Sequence, residues 1–217
     1  MFKVKRYVDL SWPLTKDTPI YPGDPEPDIQ VATTIENEGY NLSSVFIGTQ
    51  TGTHVDAPYH FSNDGDTIDK MELDYFFGEA VVIPVLGKGA DEEITMGDIK
   101  AHKGKVTPGK IVLFRTDWDK NIGDDKFFHH PYLSEEVARF IVENGTRFVC
   151  IDTINVDKTG GTEFPVHDLF VEKRLIIGEN MRGFDQINFD KVLLAAFPLS
   201  IVGTDGSPVR AVAMEVE

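Results

Sequence analysis

Short runs of β-branched and aromatic residues recur along the whole chain, and this feature constrains the fold most strongly. Side chains of these types pack well on a pleated surface, so each run favours a strand. The predicted strands cover residues 7–12, 29–35, 41–48, 52–57, 79–86, 110–115, 147–152, 175–179, 192–197 and 209–215. Sheets must therefore supply most of the core.

Helical signals are fewer than strand signals. Ser134 can cap a helix that opens with two glutamates and ends near Gly145, because a serine hydroxyl accepts a hydrogen bond from the first helical turn. Strands 110–115 and 147–152 flank this helix, and such a crossover is typical of a parallel strand pair. Shorter helices are predicted after Thr95 and over residues 168–173.

The class that these elements predict is α/β, in the form of a compact, β-rich domain with a mixed sheet. With 217 residues, of which 41% are hydrophobic, the chain can bury a sizeable core. No internal repeat, low-complexity tract or flexible linker divides the sequence, so we expect a single domain over residues 1–217.

The acidic balance of the chain argues against two classes of partner. Asp and Glu number 36 against 21 Lys and Arg, which gives a net charge of -15. Such a surface repels phosphate backbones and anionic lipid heads, so neither nucleic acid nor a membrane is an expected partner. The longest apolar stretch, residues 192–203, is too short to span a bilayer.

Two further features favour a cytoplasmic protein. Residues 1–7 contain no apolar segment of the kind that a secretory signal needs. Cys150 is the only cysteine, so no intramolecular disulfide can form, which fits a reducing compartment. Because it lies in an apolar run, Cys150 is expected to be a small buried side chain rather than a catalytic thiol.

Residues 50–60, with the sequence QTGTHVDAPYH, concentrate groups that bind metals or move protons. In an extended strand, side chains alternate between faces, so Gln50, His54 and Asp56 would share one face. An imidazole beside a carboxylate suits a divalent ion such as Zn²⁺ or Mn²⁺. A proline then ends the strand, which leaves His60 beyond the bend as a further ligand or a base. The alternative is an edge strand with two surface histidines.

A metal ion needs about four ligands, so the rest of the set must come from another part of the chain. His167 follows a loop that can place it at a helix start, and Glu179 ends an apolar strand. Burial of an unpaired carboxylate is costly, so Glu179 needs either a metal or a basic partner such as Arg182. Three other histidines are expected at the surface or in loops: His102, His129 and His130.

The same residues carry a resemblance that extends over nearly the whole chain. The segment TGTHVDAPYH at 51–60 is similar to the signature of the cyclase family of metal-dependent hydrolases, which includes bacterial kynurenine formamidases and isatin hydrolases. Other segments resemble the remaining family motifs in the same order: DLS at 9–11, PIYPGD at 19–24, FRTDW at 114–118, IDT at 151–153, VD at 156–157, FPVH at 164–167, EN at 179–180 and GSPVRA at 206–211.

The resemblance implies both a site and a fold. In the family, the residue that matches His60 transfers a proton, and one or two divalent ions, Zn²⁺ or Mn²⁺, are bound by the residues that match His54, Asp56, His167 and Glu179. The implied fold is a compact domain of the swivelling β/β/α type, assembled as a dimer or tetramer. Asp152 and Thr153, at a strand end, are expected to support the ligands.

Two positions depart from the formamidase pattern. Gln50 stands where those enzymes have histidine, and an amide oxygen binds Zn²⁺ less well than imidazole, so Gln50 is a weak ligand candidate. Tyr21 stands in place of a tryptophan, which preserves an aromatic wall beside the substrate but changes its shape. Phe61 or Trp12 can add to that wall. Both departures bear on the choice of substrate, and neither removes the hydrolase chemistry.

These features predict a metal-dependent hydrolase of a small amide, of the arylformamide or N-formylkynurenine kind, with a small molecule as its partner. His60, whose ordinary pKa is about 6.5, would take a proton from the attacking water and return it to the leaving nitrogen. A first alternative is hydrolysis of a lactam or lactone at the same site. A second is a metal- or ligand-binding module that has lost catalysis.

Overall fold

The computed structural model describes residues 3–217. Met1 and Phe2, the first residues of the segment 1–7 in which no secretory signal is expected, lie outside that range. The strands are β1 (Val4–Asp9), β2 (Asp28–Thr33), β3 (Leu42–Phe46), β4 (His54–Asp56), β5 (Phe77–Pro84), β6 (Glu93–Ile94), β7 (Ile111–Arg115), β8 (Tyr132–Leu133), β9 (Phe148–Ile151), β10 (Ile176–Glu179), β11 (Val192–Ala195), β12 (Gly206–Pro208) and β13 (Val212–Val216). The α-helices are α1 (Ile35–Glu38), α2 (Glu135–Glu143) and α3 (Pro165–Glu172). Short 3₁₀ helices cover Pro58–His60, Ile68–Lys70, Leu73–Tyr75, Lys100–Lys105, Trp118–Asn121, Asp125–Phe128 and Phe184–Gln186.

Nine strands form one mixed sheet, in the order β1-β13-β11-β5-β7-β9-β10-β4-β12. The central strands β5, β7, β9 and β10 run parallel to one another, whereas the strands on either side pair antiparallel. β7 and β9 flank α2 in the chain and pair in parallel, so the predicted strand–helix–strand unit is confirmed. The predicted α/β class with a β-rich mixed sheet is confirmed with it.

The central strands separate two hydrophobic layers. On β9, Phe148 and Cys150 point into one layer, whereas Val149 and Ile151 point into the other. The second layer is covered by α2 and α3, from which residues such as Phe170 pack onto the sheet. Because both faces of β9 are buried, the strand is continuously apolar, and Cys150 is fully enclosed as its context predicts.

The helix boundaries follow local hydrogen bonds. The Ser134 hydroxyl accepts from the Val137 N–H over 3.2 Å, and α2 begins where this cap predicts. α3 begins earlier than predicted, at Pro165, because a proline suits the first helical position. After Thr95 the chain forms a turn at residues 96–99, and a 3₁₀ helix begins only at Lys100, so the helix predicted directly after Thr95 is wrong. Within residues 3–217, no helix is both long and apolar enough to cross a membrane.

A hairpin formed by β2, α1 and β3 (residues 28–46, the hairpin arm) pairs only with itself. Successive side chains of a strand point to opposite faces, so the neighbouring Val45 and Phe46 leave apolar groups on both sides of the arm. Its exposed apolar residues, each at least 52% exposed, are Val31, Ile35, Tyr40, Leu42, Val45 and Phe46.

Candidate metal centre

The short strand β4 organises the candidate site. It lies between β10 and β12, and all of its residues are buried. The register places Glu179 opposite His54, and Gly206 opposite Asp56. The alternative of an edge strand with surface histidines is therefore wrong for His54, which is only 2% exposed.

His54 presents one ring nitrogen to two carboxylates. Its Nε2 atom lies 3.4 Å from an Asp56 oxygen and 3.5 Å from a Glu179 oxygen. Its other nitrogen, Nδ1, lies 2.7 Å from the Gly52 carbonyl oxygen. A carbonyl oxygen can only accept, so in the neutral ring the proton is on Nδ1 and the Nε2 lone pair faces the carboxylates.

His167 reaches the same carboxylates from the first turn of α3. Its Nε2 lies 3.9 Å from Asp56 Oδ2 and 3.7 Å from Glu179 Oε1. Asp157 accepts from the His167 backbone N–H and from its Nδ1, the latter over 2.7 Å. A carboxylate at a helix start satisfies free N–H groups, and here it also directs the Nε2 of His167 towards the cluster.

Glu179 has a partner other than the basic residue considered from the sequence. Its Oε1 accepts from the Val156 N–H over 2.7 Å. The Arg182 guanidinium instead lies 3.8 Å from Asp9 and stacks over the Trp12 ring. The alternative in which Glu179 pairs with Arg182 is therefore wrong, and its second oxygen faces His54.

Asp56 is the residue that most requires a cation. Among the residues described, neither of its carboxylate oxygens has a hydrogen-bond partner, although the side chain is buried. Burial of an unpaired carboxylate is strongly unfavourable. Ligand atoms of His54, Asp56 and Glu179 lie within 4.8 Å of one another, so a divalent ion held by them would remove that cost. This mixed nitrogen and oxygen set suits Zn²⁺ or Mn²⁺. The residues present thus fit a metal ion.

The cluster also shifts its own pKa values in the metal-free protein. Burial alone would lower the pKa of His54, but the Asp56 and Glu179 carboxylates outweigh it and raise that pKa to about 9. Burial raises the pKa of Asp56, although the neighbouring His54 opposes the shift. The metal-free cluster therefore retains a proton near neutral pH, and a cation must displace it.

His60 lies next to the cluster but is more accessible than its members. It ends the 3₁₀ turn Pro58–His60, where the proline stops the strand as predicted. Its Nδ1 lies 3.0 Å from Asp205 Oδ2, and its side chain is 28% exposed. Potential ligand atoms of His60, Asp56 and His167 lie within 4.8 Å of one another. Burial alone would lower the pKa of His60, but the hydrogen bond to Asp205 and the nearby Asp56 raise it.

Gln50 occupies a turn rather than the predicted strand. β4 begins only at His54, because Gly52 adopts a left-handed conformation with φ of 68° and interrupts the extended run. Strand alternation therefore does not set the direction of Gln50. Its amide nitrogen donates to Asp205 Oδ2 over 2.7 Å, while the residue still lines the cavity beside the cluster.

Aromatic side chains form much of the wall of that cavity. Its volume is about 210 Å³, smaller than the roughly 300–1,000 Å³ typical of pockets for drug-sized ligands. Tyr21 and Phe61, the predicted substrate-binding residues, line it, and so do Phe164 and Ile154, which the sequence did not indicate. Phe61 also stacks on the His167 ring, with 4.3 Å between ring centres. A small, partly aromatic molecule suits this space.

Of the two predicted supporting residues, Thr153 contacts the cluster region, since its carbonyl oxygen accepts from the N–H of Asn180, the residue after Glu179, over 2.8 Å. The Asp152 carboxylate accepts hydrogen bonds from the Thr116 and Asp117 backbone N–H groups, so it stabilises the loop after β7. The Thr153 hydroxyl donates to the Asn155 carbonyl oxygen. Asp157 and Asp205, which were not predicted, are the carboxylates hydrogen-bonded to Nδ1 of His167 and His60. The position of Asp157 ten residues before His167, ahead of a helix start, is the signal that could have indicated its role.

The remaining histidines and Trp12 lie away from the cavity. His129 is exposed and pairs with Asp91. His130 lies in the predicted loop but is buried, with its ring between the Pro131 carbonyl and the Thr159 hydroxyl. Burial lowers the pKa of His130 to about 4. The cavity lining contains His54, His60 and His167 as its histidines and does not include Trp12.

Comparison with known families agrees with this geometry. The family model named Cyclase matches residues 8–158, which include β4, His60 and Asp157. The chain belongs to the cyclase family. His167 and Glu179 lie beyond the matched residues, yet they meet the β4 residues in space.

Individual relatives extend the cyclase-family likeness over nearly the whole chain. The kynurenine formamidase of Bacillus cytotoxicus is 30% identical over 212 residues, covering 97% of this chain and 98% of the relative. Isatin hydrolase A of Labrenzia aggregata, solved with benzyl benzoate bound, has 27% identity and a TM-score of 0.88, covering 98% of this chain and 94% of that one. Another isatin hydrolase, solved with the product analogue thioisatinate, has 25% identity and a TM-score of 0.88, covering 97% and 92%.

Proposed function

We propose that this cyclase-family chain is a metal-dependent hydrolase that cleaves the C–N bond of a small amide, of the arylformamide or N-formylkynurenine kind. The observation that carries the proposal is the buried Asp56 carboxylate, which has no hydrogen-bond partner among the described residues and lies beside two imidazoles. The likeness to kynurenine formamidases, at 30% identity, supports an amide as the substrate.

The metal ligands of the proposal come from β4, β10 and α3. One or two divalent ions, Zn²⁺ or Mn²⁺, are held by His54, Asp56, His167 and Glu179. Gln50 is a weaker candidate, since an amide oxygen binds Zn²⁺ less well than imidazole does. When bound, the metal supplies a Lewis acid that polarises the substrate carbonyl and makes water a better nucleophile. The protein's own contribution is to hold both imidazoles with Nε2 facing inward, through Gly52 and Asp157.

His60 is the acid and base of the proposed reaction. Its Nδ1 contacts Asp205, so its Nε2 is the nitrogen available to the substrate. This nitrogen takes a proton as water attacks the amide carbon, and it returns the proton to the nitrogen that leaves when the C–N bond breaks. The products are a carboxylic acid and an amine.

Substrate binding is assigned to the aromatic wall of the cavity. Tyr21 and Phe61 lie on it, and both can stack on a planar ring. The Tyr21 hydroxyl accepts from the Gly160 N–H over 3.1 Å, which holds the phenol ring in place. An aryl group on the amide therefore matches both the size and the lining of the cavity.

A second candidate function is hydrolysis of a lactam or lactone at the same site. The likeness to isatin hydrolases, with TM-scores of 0.88, favours it. Gln50 and Tyr21, which replace formamidase residues, favour it too. The chemistry of His60 and the metal ligands would be unchanged, and the two candidates differ only in the bond presented to them.

The experiment that tests the proposal compares three substrates before and after chelation. Formanilide, an isatin-type lactam and a small lactone are each offered to the protein as purified, after metal removal, and after Mn²⁺ or Zn²⁺ is added back. The proposal predicts amide hydrolysis that chelation abolishes and the metal restores. Preference for the lactam would select the second candidate. Metal binding without turnover of any substrate would indicate a binding module, and turnover unaffected by chelation would contradict the metal mechanism.

We also propose that the chain assembles as a homodimer or homotetramer through the hairpin arm. An isolated two-stranded hairpin is marginally stable, and this arm exposes apolar side chains on both faces. A second copy that packs on the arm would cover them.

We further propose that residues 1–217 form one domain and that the protein acts in the cytoplasm. Its partner is a small molecule rather than nucleic acid or a membrane.

A further inference from the structure

We propose that Asp205 is a positioning residue for His60, and that Gln50 and Thr49 act through Asp205. The inference rests on the proposed function, because it states how His60 is oriented for that hydrolysis. It also gives Gln50, the residue that departs from the formamidase pattern, a role in the proton-transfer half of the site.

The hydrogen bonds around Asp205 hold its carboxylate in one orientation. Oδ2 accepts from His60 Nδ1 over 3.0 Å and from Gln50 Nε2 over 2.7 Å. Oδ1 accepts from the Thr49 hydroxyl over 2.8 Å. Donors on both oxygens leave the carboxylate little freedom to rotate, so the position of the His60 ring is fixed as well.

The backbone places this carboxylate beside the end of β4. The Asp205 carbonyl oxygen accepts from the Ala57 N–H over 2.8 Å, directly before the turn that carries His60. A Cβ atom at Gly206 would lie 2.6 Å from the Val55 carbonyl oxygen and 2.7 Å from Gln50 Nε2. A glycine at position 206 therefore allows the backbone to pass close to β4 and leaves room for the amide of Gln50.

The chemical consequence is a single tautomer of His60. A carboxylate at Nδ1 favours the proton on that nitrogen, as in other histidine bases that a carboxylate orients. Nε2 then carries the lone pair that takes a proton from water. Without Asp205 the ring would populate both tautomers and turn more freely, so fewer molecules would be ready to react.

The first test observes the tautomer directly. Long-range ¹⁵N–¹H correlation spectra of the Zn²⁺-loaded protein, with His60 assigned by its absence in His60→Gln, report which ring nitrogen carries the proton. The proposal predicts that the wild-type ring carries its proton on Nδ1. In Asp205→Ala the proton should be distributed between Nδ1 and Nε2. A wild-type ring with its proton fixed on Nε2 would overturn the proposal.

The second test separates positioning from metal binding. Asp205→Asn, which keeps the shape of the side chain, and Gln50→Ala should each lower kcat about 10- to 100-fold, with little change in KM and an unchanged metal content. Thr49→Val should act in the same direction with a smaller effect. Because Gln50 acts through Asp205, Gln50→Ala combined with Asp205→Ala should be no slower than Asp205→Ala alone. Asp64→Asn, an exposed aspartate in the nearby loop, is the control and should match the wild type.

Two results would overturn the positioning role while leaving the hydrolase proposal intact. One is an Asp205→Asn variant whose kcat equals that of the wild type, together with a large decrease of kcat in His60→Ala. The other is loss of metal from Gln50→Ala at an unchanged kcat per bound metal, which would make Gln50 a ligand. If the wild type shows no chelator-sensitive turnover, the hydrolase proposal fails, and the tautomer spectra still decide whether Asp205 orients His60.

Discussion

The three histidines at the cavity share one arrangement at the scale of single residues. Each has its Nδ1 in contact with an oxygen atom, and the pairs are His54 with Gly52, His167 with Asp157, and His60 with Asp205. Each Nε2 is thereby left free for a metal or a substrate. The oxygen partners determine what the imidazoles can do as much as the imidazoles themselves.

Asp157→Asn tests this arrangement at His167. An amide accepts through only one atom, so it cannot cap α3 and hold the imidazole Nδ1 as the carboxylate does. We expect metal affinity to fall by about 10- to 100-fold, as measured by competition with a chromogenic chelator. Asp168→Asn is the matched control, because Asp168 is exposed in the same helical turn. An equal decrease of metal affinity in Asp157→Asn and Asp168→Asn would contradict a specific role for Asp157.

Metal binding should release protons. In the metal-free protein the pKa of His54 is raised to about 9, so at pH 7 a proton must leave before the ring can bind an ion. We expect about one proton to be released per ion bound at pH 7, and the apparent affinity to rise with pH until about 9. Calorimetry in buffers of different ionisation enthalpy measures this number. No proton release at pH 7 would contradict the raised pKa.

The pattern QTGTHVDAPYH was sufficient to place His54, Asp56 and His60 near one another, because they are close in sequence. The role of Asp205 could not be predicted in the same way. It lies 145 residues from His60, and only the pairing of β12 with β4 brings the two together. Side chains that support a site from a distant strand depend on the sheet order, which a single sequence does not determine.

Among the elements, β10 determines how Glu179 reaches the cluster. It is parallel to β9 and antiparallel to β4, so Gly178 lies opposite Cys150 on one side and Val55 on the other. A Cβ atom at Gly178 would lie 2.7 Å from Met181 Cε and 2.9 Å from Cys150 Sγ. The glycine therefore allows β10 to pack closely while it carries Glu179, a proposed ligand.

Gly178→Ala should destabilise the protein and disturb the site. Overpacking of a buried position costs about 1–3 kcal/mol, so we expect a lower free energy of unfolding by that amount in chemical denaturation. Metal affinity should fall as well, because Glu179 is the next residue. Gly104→Ala is the control, since a Cβ atom there would have no neighbour within 4 Å. Unchanged stability of Gly178→Ala would contradict the close packing described.

The sequence predicted the existence of the elements better than their ends. β-branched and aromatic runs correctly indicated β5, β7, β9 and β10. The run at 52–57 was predicted too long, because the positive φ of Gly52 ends the extended backbone there. Thr95 and Asp98 form the side-chain contact of a helix start, yet the backbone after Thr95 makes only a turn before the 3₁₀ helix at Lys100–Lys105. Local propensity cannot distinguish these outcomes.

At the scale of the whole molecule, the hairpin arm is a feature that a single chain leaves exposed on both faces. Phe46→Glu and Val45→Glu place a charge on either face of the arm and should shift the protein to a smaller species in sedimentation velocity. Leu86→Glu changes an exposed leucine outside the arm, so it should keep the wild-type assembly. A wild-type protein that sediments as a monomer, or arm variants with unchanged assembly, would contradict the proposed interface.

The central claim is that His54, Asp56, His167 and Glu179 together hold one or two divalent ions. Anomalous difference maps at the manganese and zinc edges, from a crystal of the metal-loaded protein, test it most directly. We predict a peak about 2.0–2.2 Å from His54 Nε2 and from carboxylate oxygens of Asp56 or Glu179, a peak at the same distance from His167 Nε2 and a carboxylate oxygen, or both. A fully active crystal with no peak in this cluster, or with its peak elsewhere, would contradict the claim.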